Sequence, residues 1–317
     1  MQVIHPITWV TSKVVASNIP EDDYDEFSAT AVYSSGAYCI VALTHQVFRA
    51  LTALDGTDNP YPPTDISSAS PSWELVGYTN RWRMFDPYTN SQTEGVALDG
   101  GGTVIDVTVD ASRCDALALL NTNCSRIQLT LYSSGGEVLW EYDSNNDPYA
   151  LSASFSGSWS EHFRREGRYK TNFYFVFPCW VGALLKIVIT STGPVRCGNA
   201  VIGKMKYVGE SLLSPKISKT SYSKKVTDDF GQTYLKKGVI VRDIDFVVEV
   251  SNGRLDYLNT LFDDLDAVPA VYICDNSTSL QDVFAQVFIL YGFYGSFEVV
   301  VPNAITSEAS IVVKGLL

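Results

Sequence analysis

Hydrophobic and polar positions alternate with a period of two through much of this chain. Arg126-Ile127-Gln128-Leu129-Thr130-Leu131-Tyr132 alternates without a break, and Val104-Ile105-Asp106-Val107-Thr108-Val109-Asp110 alternates in part. Side chains of a strand point to opposite faces in turn, so each run predicts a half-buried strand. Ser133-Ser134-Gly135-Gly136 lies between the first run and Val138-Leu139-Trp140-Glu141-Tyr142, which predicts a hairpin. Ala116-Leu117-Ala118-Leu119-Leu120, Phe173-Tyr174-Phe175-Val176-Phe177, Leu184-Leu185-Lys186-Ile187-Val188-Ile189 and Ala200-Val201-Ile202-Gly203 add further strands. Seven or eight strands over 80–208 predict a jelly-roll-like β-sandwich.

Two flanking regions read differently. Over 27–79, a Gly turn at Ser34-Ser35-Gly36 precedes strand-like Cys39-Ile40-Val41-Ala42-Leu43 and Val47-Phe48-Arg49-Ala50-Leu51. A Gly- and Pro-rich loop then leads to Trp73-Glu74-Leu75-Val76-Gly77, so this stretch is a small aromatic β unit. Over 209–317, a long strand around Val239 to Val250 is followed by Leu255, Leu258, Phe262 and Leu265 at helical spacing, with Asn252 placed to cap the helix. Val268-Pro269 ends that helix, and four more strand-like runs follow, at 271–274, 287–293, 296–301 and 309–315, giving an α+β unit. Residues 1–26 are expected as an N-terminal arm ending in the exposed acidic run Glu21-Asp22-Asp23-Tyr24-Asp25-Glu26. The fold class is therefore mainly β.

Charge narrows the function classes. The net charge is −12, and residues 1–110 hold 14 acidic against 4 basic residues, which argues against general nucleic-acid binding. The stretch 160–245 holds 15 of the 23 Lys and Arg residues, so an acidic front and a basic middle can steer subunits onto one another. The excursion from Asn145 to Lys170 carries Trp159, Arg164, Arg165 and Arg168 and is predicted to be an interface loop. No uninterrupted apolar stretch reaches membrane-spanning length, and no secretion signal is visible at the N-terminus. The six cysteines lack CxxC or zinc spacing and are predicted to be reduced core residues.

Catalytic chemistry finds little purchase. The only histidines are His5, His45 and His162, which lie in different regions, and no Ser or Cys sits in a nucleophile-elbow context. Asp55, Asp58 and Asn59 fit an Asx turn better than a calcium loop. Gly100-Gly101-Gly102 leads into a strand rather than a helix, so it is no phosphate cradle. The expectation is a protein that is not an enzyme and has no cofactor, metal or catalytic residue.

The densest segment is Gly77-Tyr78-Thr79-Asn80-Arg81-Trp82-Arg83-Met84-Phe85-Asp86, followed by Ser91-Gln92-Thr93. It resembles a segment shared by a family of tailed-bacteriophage tail proteins, in which a TNRW-x-MFD element and a nearby QT join a small aromatic module to a β-sandwich. A second segment, Ser221-Tyr222-Ser223-Lys224-Lys225-Val226-Thr227-Asp228-Asp229-Phe230-Gly231, is similar to a basic-then-acidic stretch of the same family. The resemblance spans nearly the whole chain. It implies a structural role in a virion tail (tip, baseplate or fibre attachment), synthesis in the host cytoplasm, and other tail proteins and further copies of the chain as partners.

Within this reading Asn80, Arg81, Trp82, Phe85, Asp86 and Gln92 weld the aromatic unit to the sandwich. A ligand pocket lined by Trp82 and Arg83 is the competing reading. The aromatic unit itself resembles small chitin-binding-type carbohydrate modules, which makes Tyr33, Phe48 and Trp73 candidates for a glycan face. The same three residues also suit a miniature core. Recognition of a host-surface glycan is the alternative function.

Overall fold

A computed structural model describes residues 1–146, 151, 169–212, 215–274 and 288–316 of the chain. Strand accounts for 49% of the structure and helix for 8%, so the protein is mainly β. One layer of the sandwich is a six-stranded sheet centred on Leu184–Ser191, flanked by Arg126–Tyr132 and Thr103–Asp110, with Val138–Asp143 and Val14–Ser17 further out. The alternation seen in the sequence is realised residue by residue. Ile105, Val107, Val109, Ile127, Leu129, Leu131, Leu185, Ile187 and Ile189 all point inward and are fully buried. They meet Leu117, Leu119, Phe173, Phe175, Ala200 and Ile202 from the second sheet.

The second sheet has ten strands, all antiparallel, and does not stop at residue 209. It runs from Phe173–Val176 through Ala116–Leu120 and Asn199–Tyr207 to Gln2–Pro6. It continues through Ala270–Ile273, Ile289–Val300, Thr306–Gly315 and Ile240–Ser251. The first five residues of this path after Met1 are thus no free arm. Gln2 pairs with Tyr207 on one side and Ile273 on the other, so Gln2–Pro6 joins the sandwich to the C-terminal unit. The reason is its two-sided burial: Val3 packs into the core under the C-terminal helix, while Ile4 packs on the opposite face. A strand buried on both faces reads as a short apolar run, without the alternation that marks a half-exposed one. Val14–Ser17, also expected in the arm, is an edge strand of the other sheet.

Ala116–Leu120 is buried at every position for the same reason. Leu117 and Leu119 face the sandwich core; Ala116, Ala118 and Leu120 face a second cluster with Ile4, Val271, Ile273, Ile289 and Tyr291. The sheet curls around that second cluster. The helix Leu255–Asp264 covers the outer face of the C-terminal strands, setting Leu258, Leu261 and Phe262 against Phe246, Val248, Tyr272 and Ile311. Asn252 does not cap it. A 3₁₀ turn, Asn252–Arg254, intervenes, and the Asn252 amide instead ties the 303–307 loop through Asn303 and Ser307.

The aromatic unit is a separate three-stranded sheet of Tyr38–Val41, Gln46–Ala50 and Trp73–Tyr78. Tyr33, Cys39, Val41, Phe48, Ala50 and Trp73 make its own small core. Its long loop needs the glycine at Gly56, which has φ +80° and lies so close to Thr30 that an added Cβ would sit 2.7 Å from the Thr30 carbonyl oxygen.

Candidate functional site

Two segments singled out by the sequence have opposite fates. The first, around Trp82, closes a seam between the aromatic unit and the sandwich. Thr79 begins a tight turn in which the Trp82 and Arg83 amides both donate to the Thr79 carbonyl oxygen. Trp82 is 6% exposed; it stacks on the His45 ring at 4.2 Å and meets Phe85 edge-on, while Phe85 packs against Trp9. Asn80 donates to the Glu94 carbonyl oxygen at 2.9 Å and accepts from the Glu94 amide at 2.8 Å. Thr93 Oγ1 donates to the Asn80 carbonyl oxygen and accepts from the Met84 amide. Gln92 donates to the Asn121 carbonyl oxygen, carrying the tie onto the sandwich. The irregular backbone of the turn is satisfied by these side chains, as a buried loop requires.

The acidic run completes the seam, which sequence reasoning missed. Glu21 and Asp23 were expected to be exposed, yet their side chains are only 12% and 14% exposed. Glu21 accepts hydrogen bonds from Thr79 Oγ1 at 2.7 Å, engages His45 Nδ1 at 2.8 Å and faces Arg81 at 3.4 Å. Asp23 accepts from the Asn80 amide and pairs with Arg83. Arg81 donates through Nε to the Ile19 carbonyl oxygen at 2.6 Å and Arg83 to that of Tyr78 at 3.3 Å. Asp22, Asp25 and Glu26 stay exposed. His45 Nε2 lies 3.1 Å from Thr11 Oγ1, so hydroxyl, imidazole and carboxylate form a chain. Thr11 sits on an exposed 3₁₀ turn, the ring is stacked flat on Trp82, and Glu21 is shared with Thr79 and Arg81. This arrangement orients the ring and holds the seam.

Asp86 is a buried carboxylate that accepts from the Tyr88 amide at 2.9 Å and Ser91 Oγ at 2.8 Å. Burial pushes its pKa up to about 6, against the opposing effect of those two donors and of Arg83. Beside it lies a groove of about 480 Å³, walled by Trp9, Tyr78, Trp82 and Phe85 and reaching Asp86, Asn199 and Tyr291. Asn199 donates to the carbonyl oxygens of Asp86 and Tyr88. Its Oδ1 is buried and accepts nothing among the described residues.

The other candidates fall elsewhere. Tyr33, Phe48 and Trp73 are buried in the aromatic unit, Trp73 donating through its indole to the Pro60 carbonyl oxygen at 3.0 Å. They form a miniature core and present no open aromatic face. Trp159, Arg164, Arg165 and Arg168 lie outside the described residues. All six cysteines are free, and five are buried. Among the described residues no group of three or more His, Cys, Asp or Glu side chains could hold a metal ion. None of the described helices is long and apolar enough to cross a membrane.

The second segment projects. Lys216–Ser221 pairs with the start of Ile240–Ser251, and the chain between them forms a hairpin of Lys224–Thr227 and Thr233–Lys236. The hairpin turns at Asp228, whose carboxylate accepts from the Phe230 and Gln232 amides. Nearly every residue of this arm is exposed, including Phe230 at 92% and Leu235 at 79%, with Tyr222, Tyr234, Val239 and Ile240 each more than half exposed. Six lysines against two aspartates make the 216–237 stretch basic.

Compared with protein-family models, curated proteins and solved structures, the chain matches none.

Proposed function

We propose that this chain is a structural component of a bacteriophage tail, at the tip, baseplate or fibre attachment, and that it works by protein–protein assembly. The observation that carries this reading is the arm. A two-stranded hairpin is marginal in water by itself. One that also exposes Phe230, Leu235, Tyr222 and Tyr234 has the character of a surface built to be covered. The partner that fits is another copy of this chain. The arm is basic, whereas the aromatic unit and the loop before it leave Asp22, Asp25, Glu26, Asp55 and Asp58 exposed. Opposite charges on two different patches of one molecule favour a head-to-tail contact, which closes into a ring or propagates along an axis. The tail assignment is supported by the likeness of the 77–93 and 221–231 segments to tail-protein segments, and other tail proteins would complete the neighbourhood.

Immunogold labelling of purified tailed particles with antibody raised against the chain tests the assignment. Gold confined to the tail is expected. Particles free of label, with the chain recovered only from the soluble lysate, would overturn it.

A further inference from the structure

The chain has a net charge of −12, yet it gathers positive charge in a groove away from the seam. This groove, of about 360 Å³, is bounded by the strands Gln2–Pro6 and Asn199–Tyr207 and by the helix Leu255–Asp264. Lys204 and Lys206 are two residues apart on one strand, so they stand on the same face, their Cα atoms about 7 Å apart. Met205, between them, packs against the cluster on the opposite face. His5 is the cross-strand partner of Lys204, and all three basic residues line the groove. Like charges set side by side on a sheet are destabilising unless an opposite charge answers them. Among the described residues, neither lysine side chain makes an ion pair or a hydrogen bond.

The helix presents Tyr257 and Asp264 to the same groove. The Tyr257 hydroxyl makes no hydrogen bond among the described residues, and the Arg254 guanidinium lies over its ring at 5.6 Å, adding positive charge on that side. Asp264, exposed at the end of the helix, is the one carboxylate on the lining among the described residues. Pro6, Ile7 and Leu261 supply an apolar wall.

We propose that this groove binds a phosphomonoester, its phosphate held by Lys204, Lys206 and His5 and its organic body against Pro6, Ile7 and Leu261. The chemistry selects this class. Lysine side chains only donate, so the ligand must accept and carry negative charge. A phosphomonoester carries about −1.5 to −2 at neutral pH, which matches two lysines, whereas a carboxylate or a sulfate ester brings a single charge. Its three acceptor oxygens suffice for both lysines and the Tyr257 hydroxyl at once. The proposal rests neither on the tail assignment nor on the arm.

The test is calorimetric titration of the full chain with phenyl phosphate at neutral pH and constant ionic strength, with phenyl sulfate and benzoate as singly charged controls. Phenyl phosphate is expected to bind saturably and about tenfold more tightly than either control. Lys204→Met with Lys206→Met keeps the apolar stems and removes the charges. Its melting temperature should hold or rise, since the neighbouring like charges are gone, while phosphate affinity falls at least about tenfold. Asp264→Asn should act in the opposite sense and tighten binding about two- to fivefold. No saturable binding of phenyl phosphate up to about 10 mM would overturn the proposal. So would parental affinity in the double lysine variant, or controls that bind as tightly as phenyl phosphate. Weaker binding by Asp264→Asn would equally overturn it, because an anion gains nothing from that carboxylate.

Discussion

The seam at 79–93 and the arm at 216–237 are made of similar material and use it in opposite directions. Both are rich in aromatic, basic and acidic side chains. At the seam an acidic loop arrives from far away in sequence, so Arg81 and Arg83 find Glu21 and Asp23, and Trp82 is sealed against His45 and Phe85. No described element reaches the arm beyond Ile240–Ser251, so its lysines and aromatics remain in solvent. Composition alone therefore does not say whether a charged aromatic cluster holds a fold together or joins it to something else. What decides is whether another part of the chain comes to satisfy it.

The comparison breaks most visibly through stability. Trp82→Ala should cost about 3–5 kcal/mol, as large buried aromatics do when truncated, and should be read as a fall in melting temperature. A variant as stable as the parent would mean the indole is no part of the weld. Asp86 gives the next effect, through pH. Its pKa is about 6 in the fold against 3.8 for an unperturbed aspartate. The folded state therefore takes up the proton first on acidification. Stability contributed by Asp86 is fully present below about 4 and is lost as pH rises through about 6, an excursion on the order of 2–3 kcal/mol. Denaturant melts of the parent and of Asp86→Asn between pH 4 and 7 should differ in slope, the variant lacking the decline. Asp143 acts in a lower window: Arg126 holds its pKa down to about 2, so its contribution is present above 4 and lost only as pH falls toward 2. Glu21→Gln comes third. It keeps the shape but removes the charge facing Arg81 and His45, at a cost of about 1–3 kcal/mol. Asp22→Asn, one residue along and exposed, should change stability by less than about 0.5 kcal/mol. Equal effects of the two would dissolve the distinction between inward and outward acids.

Much of the fold was legible because half-buried strands declare themselves by period. Arg126–Tyr132, Thr103–Asp110 and Leu184–Ser191 each carry one buried face, and the Ser133–Gly136 turn joins the hairpin as its glycines suggest. The helix at Leu255–Asp264 was legible from Leu258 and Phe262, although Asn252 sits too early to cap it. Gln2–Pro6 was not legible, since burial on both faces leaves no alternation in so short a strand. The seam was half legible. Asn80, Trp82 and Gln92 showed their polar and aromatic character, but nothing local tells Glu21 and Asp23 from Asp22 and Asp25. The distant turn makes that choice, through the Thr79 hydroxyl on Glu21 and the Asn80 amide on Asp23. The groove at the seam was legible only through Trp82, which lines it while Arg83 does not; Asn199 and Tyr291 are ordinary strand residues until the sheet curls and brings them beside Asp86.

The smallest effect on stability should accompany the largest on association, and there the central claim is most exposed. Phe230→Ser with Leu235→Ser alters two solvent-facing side chains of the arm, so the melting temperature should stay within the range of ordinary surface changes. Sedimentation velocity of the full chain, parent and double variant side by side over a range of concentrations, is the direct measurement. The parent is expected to self-associate and the double variant to sediment as a monomer of unchanged stability. Equal association of the two, or a parent that stays monomeric at every concentration, would contradict the assignment of the arm as the contact between copies.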